Sequence, residues 1–198
     1  MIELFEKYVD LKILGLFLGN PNTEFHVKEI GRKLNISPAS ASHAVKYFAE
    51  CGYLMKEEKG LAHLYRLNVA HPIMVSMKKA YGMALVLSAN PIEIFLSADA
   101  NIVSFALYGS YADGSFDDHS QIDFLIVAPS AVDKFSNSRK LSDSRKLLEE
   151  KLGRPVSVFV ATMSIWSTMK STNDPMYNKI LENHILIYGN GLTGEMAR

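Results

Sequence analysis

One cysteine, Cys51, stands among 198 residues, so the chain can close no disulfide on itself. That usage fits a small buried thiol in a reducing compartment. Net charge is missing too, with 21 Lys and Arg set against 21 Asp and Glu. The balance excludes a polycation that coats nucleic acid by bulk charge. The opening Met1-Ile-Glu-Leu-Phe-Glu-Lys7 is acidic and lacks a signal-peptide layout. No apolar run is expected to approach the ~20 residues that span a bilayer. These absences predict a soluble, cytoplasmic protein with no membrane partner.

What is present is a hydrophobic content of 48%, enough for a real core. A chain of this length suits one large or two small domains. Residues 1–90 carry net +3 and residues 91–198 net −3, so an anion partner is expected in the first half. Tyr8–Leu18 is too apolar for a surface helix and predicts a buried one, ended by Gly19-Asn20-Pro21. Phe25-His26-Val27 reads as a short strand. Val27, Ile30 and Leu34 then recur at helical spacing. Ser37-Pro38 is a strong helix start, a capping hydroxyl followed by Pro in the first position. This helix is expected to reach Glu50 with Ala41, Ala44, Val45 and Phe48 inward, and Gly52 suits its end. Residues 53–57 and 63–67 alternate like two strands, joined by a loop over 58–62.

Helix, strand, helix, turn, helix, hairpin is an order that resembles the winged helix-turn-helix regulators. The likeness rests on Val27–Leu67, above all on Ser37-Pro38-Ala39-Ser40-Ala41-Ser42-His43-Ala44-Val45 and Cys51-Gly52-Tyr53-Leu54. It implies double-stranded DNA as partner. Early residues of the second helix would meet base edges in the major groove. Ser40, Ser42 and His43 are the candidates, with Ala39 against a thymine methyl. Lys46, Lys56, Lys59 and Arg66 are the candidates for phosphate contacts, which position without specifying.

His71-Pro72 breaks the hairpin. A connector helix over 73–88 is expected, with Ile73, Met77, Ala80, Ala84 and Leu87 on one apolar face and Lys78-Lys79 on the other. That face suggests a homodimer. Asn90-Pro91 marks a boundary. The expected domains are 1–70, a connector 71–90, and 91–198.

In the second half an apolar run, 102–108, ends at Gly109-Ser110. After a polar loop, Gln121-Ile122-Asp123-Phe124-Leu125-Ile126-Val127 reads as another strand. A helix over 132–152, with Phe135 apolar, is expected next. A strand over 156–160, helices from 161 and 175, and a last strand from His184 to Gly189 follow. A Gly-Ser turn before a helix can accept phosphate oxygens. This stretch resembles the nucleotidyltransferase superfamily related to DNA polymerase beta, especially its minimal members. Gly109-Ser110, the spacer Tyr111–Ser120 and Ile122-Asp123-Phe124 carry the likeness, and the element order extends it over nearly all of 91–190. The predicted architecture is therefore α+β (α/β). A winged helix-turn-helix precedes a small mixed-sheet nucleotidyltransferase-like domain.

The resemblance implies a nucleoside triphosphate held at Gly109 and Ser110. It also implies two Mg²⁺ ions, held by three carboxylates, that bridge the triphosphate. Here only Asp123 stands as catalytic and metal-binding candidate. Gln121 occupies the first carboxylate position and Ser157 the third, and neither is a good Mg²⁺ ligand. Asp113 stands where the family often has Arg. Asp117, Asp118 and His119 sit on the mobile-looking loop before Gln121. The favoured expectation is a DNA-binding regulator whose nucleotidyltransferase fold has lost catalysis and keeps nucleotide or partner binding. The alternatives are an active Mg²⁺-dependent transferase of antitoxin type, with a toxin-like protein partner, and a protein-interaction module.

Overall fold

The computed structural model describes residues 2–60, 62–129 and 139–193. The described residues divide into two compact units. One comprises Met1–Ala84 with Asp117–His119, the other Leu85–Phe116 with Ser120–Arg198.

The first unit opens with α1 (Ile2–Lys7) and α2 (Val9–Gly19). Ile13, Leu14, Phe17 and Leu18 of α2 are buried, as its apolar composition demands. A two-residue strand β1 (Phe25–His26) leads into α3 (Val27–Leu34). Asn35 in the left-handed region ends α3 (φ 53°), and Ile36 N–H donates back to the Gly31 carbonyl at 3.0 Å. A left-handed residue stops a helix by satisfying its last carbonyls. Ser37 then caps α4 (Pro38–Glu50), its hydroxyl accepting from Ser40 N–H at 3.0 Å. Ala41, Ala44, Val45 and Phe48 face inward as expected.

A hairpin follows, β2 (Leu54–Lys59) and β3 (Ala62–Leu67), antiparallel, with β1 on the far side of β3. The strands run further than the expected loop over 58–62 allowed, to Lys59 and from Ala62; Leu61 lies outside the described residues. The alternation expected for 53–57 fails. Only Leu54 of β2 is buried, and Met55 is half exposed. An edge strand with one neighbour can leave most of its side chains solvated whatever its pattern.

Helix α5 (Pro72–Ser88) departs from the expected face. Ile73, Ala80 and Leu87 are exposed, whereas Met74, Lys78 and Val86 are buried; Ala84 is buried as expected, and Met77 packs half-buried against the first core. The reason lies in the division of the chain: the helix belongs to the first unit up to Ala84 and to the second from Leu85. A helix that serves two cores carries no single apolar stripe. The stretch Pro72–Ala98 is, by length and composition alone, long and apolar enough to cross a membrane. That corrects the expectation that no such run exists. It is broken, however, at Asn90 (φ 50°), where α5 has ended and α6 (Pro91–Ala98) begins.

The second unit holds a four-stranded mixed sheet. Its strands are β4 (Ser104–Tyr108), β5 (Ile122–Ala128), β6 (Val156–Thr162) and β7 (His184–Gly189), in the order β6-β5-β4-β7. Only β5 and β6 run parallel. Such a pair needs a crossover, and α8 (Arg139–Leu152) lies within it. The start of the helix expected over 132–152, including Phe135, lies outside the described residues. Both faces of the sheet are covered. Phe105 and Phe124 stack on one face with Phe95 of α6 (centroids 4.9 and 5.3 Å). The other face, Ala106, Tyr108, Leu125 and Val127, packs with Trp166, Tyr177 and Ile180. These come from α9 (Met163–Ser171) and α10 (Pro175–Glu182), capped by Thr162 and Asp174.

Candidate functional site

The strand β4 delivers the chain to Gly109 at one end of the sheet. Gly109 has φ 72° and ψ −153°, a region open only to glycine. A Cβ there would stand 3.0 Å from Asp123 Oδ2, so the bare backbone lets the turn approach the carboxylate. The one-turn helix α7 (Ser110–Asp113) starts directly after it. Tyr111 and Phe116 stack beneath (4.3 Å), and Phe116 N–H donates to the Ser110 carbonyl at 3.2 Å. The turn is thus fixed by buried aromatic packing, with Ser110 half-buried at its edge.

Strand register places the rest. Asp123 lies opposite Tyr108 on one side and Ser157 on the other, and Tyr108 lies opposite His184. Directly paired residues share a face. Ser157, Asp123, Tyr108 and His184 therefore form one row across four strands, on the face that α9 and α10 cover. Gln121 precedes β5 and donates from Nε2 to Asp123 Oδ1 at 2.8 Å. Burial pushes the Asp123 carboxyl above its ordinary value; hydrogen bonds from Gln121 and Ser157 and the charge of Lys179 pull it partly back. Burial, with the Asp123 charge second, pushes the Tyr108 phenol up to about 12. At neutral pH Tyr108 is a hydrogen-bond donor and not a base.

The structure so brings together Gly109, Ser110, Asp123, Gln121 and Ser157, the residues read as the nucleotide end of the fold. Asp117–His119 cluster with the first unit and not with Asp123. Asp113 is occupied in its own turn, accepting from Ser115 N–H at 2.7 Å. The donor set around Asp123 is one carboxylate, one amide and one hydroxyl. Mg²⁺ prefers anionic oxygen and demands near-octahedral geometry, and the amide N–H already points at the only anionic group. These residues do not fit a pair of Mg²⁺ ions. Among the described residues no three His, Cys, Asp or Glu converge to hold a metal. Sequence reasoning missed Tyr108, His184 and Lys179. Tyr108 and His184 became visible through register, and Lys179 through the helix laid over the same face.

In the first unit, Ser40, His43 and Lys46 are exposed on α4, and Ser42 is half-buried. The Ser40 hydroxyl lies 2.8 Å from the Ser37 hydroxyl, so it shares in the cap. The hairpin cations are engaged. Lys56 pairs with Glu58 (2.7 Å), and Lys59 with Glu24 (2.8 Å) and Glu57 (3.5 Å). Arg66 rests beside the Met55 sulfur at 3.9 Å.

Residues 92–188 match the nucleotidyltransferase domain family. No curated protein matches the chain. Among solved structures, a crystal structure of a toxin–antitoxin with AMP-PNP is 16% identical, with a TM-score of 0.40, over 54% of this chain and 77% of its own. A possible transcriptional regulator from Methanosarcina mazei Go1 is 15% identical, with a TM-score of 0.32, over 50% of this chain and 86% of its own. It is the family match, and not these two distant structures, that makes the second unit a nucleotidyltransferase-like domain.

Proposed function

We propose that this chain is a DNA-binding regulator whose nucleotidyltransferase-like domain does not transfer nucleotides. The observation that carries the second half of this reading is the Gln121 amide donating to Asp123 Oδ1 at 2.8 Å. In a working site that oxygen would face a cation, and the neighbouring position would supply another anion. Here the partners of the carboxylate are an amide and the Ser157 hydroxyl. The Gly109–Ser110 turn keeps the backbone geometry that accepts phosphate oxygens, so the domain retains a nucleotide-sized function as a sensor. Nucleoside triphosphate binding is expected to be indifferent to Mg²⁺.

The order α2, β1, α3, α4 and the β2–β3 hairpin supports reading the first unit as a winged helix-turn-helix, with α4 as the recognition helix. The exposed Ile73, Val75 and Leu87 of α5 support self-association, and light scattering is expected to give twice 22.1 kDa.

Two measurements test the reading. Labelled-nucleotide transfer with Mg²⁺ or Mn²⁺ should stay at background, while thermal shift with ATP should be the same with and without Mg²⁺. Transfer that Asp123→Ala abolishes would make the protein an enzyme. Duplex DNA should shift in gels at micromolar protein with marked salt dependence, and the absence of any shift would remove the regulator half.

A further inference from the structure

The hairpin lysines that the sequence offers to DNA are already neutralised by Glu24, Glu57 and Glu58. An exposed pair on a solvated strand contributes little to stability, but DNA must displace the carboxylates before it meets the lysines. The net attraction of that surface is correspondingly small. A different part of the same unit has cations without this handicap. Between α3 and the start of β3 lies a cleft of about 720 Å³, lined by His26, Lys28, Glu29, Arg32 and His63. Lys28 and Arg32 are exposed and make no ion pair among the described residues. They stand four residues apart on α3, side by side on one face. The single acid of the lining, Glu29, is turned to Lys33 at 3.8 Å. His63 lies 3.4 Å from Glu58, and His26 stands at the head of α3.

We infer that this cleft, and not the hairpin lysines, holds the sugar–phosphate backbone of duplex DNA, with Lys28 and Arg32 as its cationic walls. The inference rests on the DNA-binding reading and names a different contact surface for it. Arg32 supplies a planar fork that matches a phosphate bidentately, and Lys28 a point charge beside it. Two cations along a helix can take successive phosphates of one strand. Contacts of this kind fix register and orientation and carry no sequence information. The cleft therefore adds affinity for every duplex alike and leaves discrimination to α4.

The test is fluorescence anisotropy of labelled duplexes, of several unrelated sequences, titrated with the full-length protein across salt concentrations. Lys28→Ala and Arg32→Ala should each weaken binding equally for all sequences. Each should also reduce the slope of log affinity against log salt by about 1. Arg32→Gln, which keeps the length of the side chain without its charge, should behave like Arg32→Ala. Lys56→Ala and Lys59→Ala should leave the slope unchanged. Unaltered slopes in the α3 variants, or equal losses in all the variants, would overturn the cleft while the regulator reading stands. No binding by the unmodified protein would end both.

Discussion

Gly109 and Asp123 constrain each other, and each can be tested alone. A methyl on Gly109 would meet the Asp123 carboxylate at 3.0 Å with φ at 72°. Gly109→Ala is expected to cost roughly 1–3 kcal/mol from the backbone conformation alone. Chemical denaturation should show this as a lower midpoint with an unchanged slope. Asp123 carries a second signature. Its folded pKa lies above the ordinary 3.8 because burial disfavours the charge. A carboxyl shifted upward contributes stability that is present below its unfolded pKa and lost as pH rises through the folded one. Asp123→Asn cannot ionise and escapes that loss. The variant should be at least as stable as the parent at neutral pH, with the difference closing below about pH 3.8. Denaturation midpoints across pH 3–8 check this. A variant less stable at pH 7 would mean that the charge is better compensated than its burial implies.

Among the elements, α4 shows how far local chemistry reaches. Ser37 supplies its cap and Pro38 its first residue. Ser37→Ala is expected to cost about 1 kcal/mol. It should also loosen the first turn, which holds Ser40 and leads into Ser42 and His43, so affinity for specific duplexes should fall more than affinity for random ones. Circular dichroism melts and anisotropy on the two kinds of duplex measure both effects. This helix was legible in sequence because cap, Pro, inward spacing and the Gly52 stop all agree. So were the Gly109-Ser110 turn and β5, whose residues switch from polar to apolar where the strand enters the core. The face of α5 was not legible, since its burial changes partner along its length. Nor was the solvated state of β2, because alternation records a strand's shape and not whether anything lies over it. At the candidate site, Gln121, Asp123 and Ser157 could be aligned through the resemblance to the nucleotidyltransferase pattern. The row that adds Tyr108 and His184 could not, because it depends on cross-strand register, and a one-residue slip reverses every side chain. The engagement of Lys56 and Lys59 by Glu24, Glu57 and Glu58 escaped for a similar reason. Adjacent opposite charges on a hairpin are visible, but Glu24 reaches Lys59 only once the chain has folded.

Taken whole, the molecule has its buried side chains in separate sets. One is built on Ile13, Phe17, Ile30, Val45 and Leu67, and another on Ala106, Leu125, Trp166 and Ile180. Stability then need not be a single number for the chain. The sole tryptophan, Trp166, belongs to the second set, and its Nε1 donates to the Leu192 carbonyl at 2.9 Å. Its fluorescence reports one unit, whereas helical ellipticity reports both. Gly189 offers a way to perturb that unit alone. A Cβ there would lie 1.9 Å from the Val103 carbonyl oxygen, with φ at 87°. The obstacle is backbone, so no side-chain rotation relieves it. Gly189→Ala must break the end of the β4–β7 pairing at Ser104, and with it the turn that carries Asn190 and Leu192 over Trp166. The loss should be at least about 3 kcal/mol. The expected outcome is a lower fluorescence midpoint in urea, with ellipticity decaying in two steps and the later step unmoved from the parent. Coincident midpoints by both probes, shifted together, would show that the two sets unfold as one, and stability would then have to be assigned to the chain as a whole.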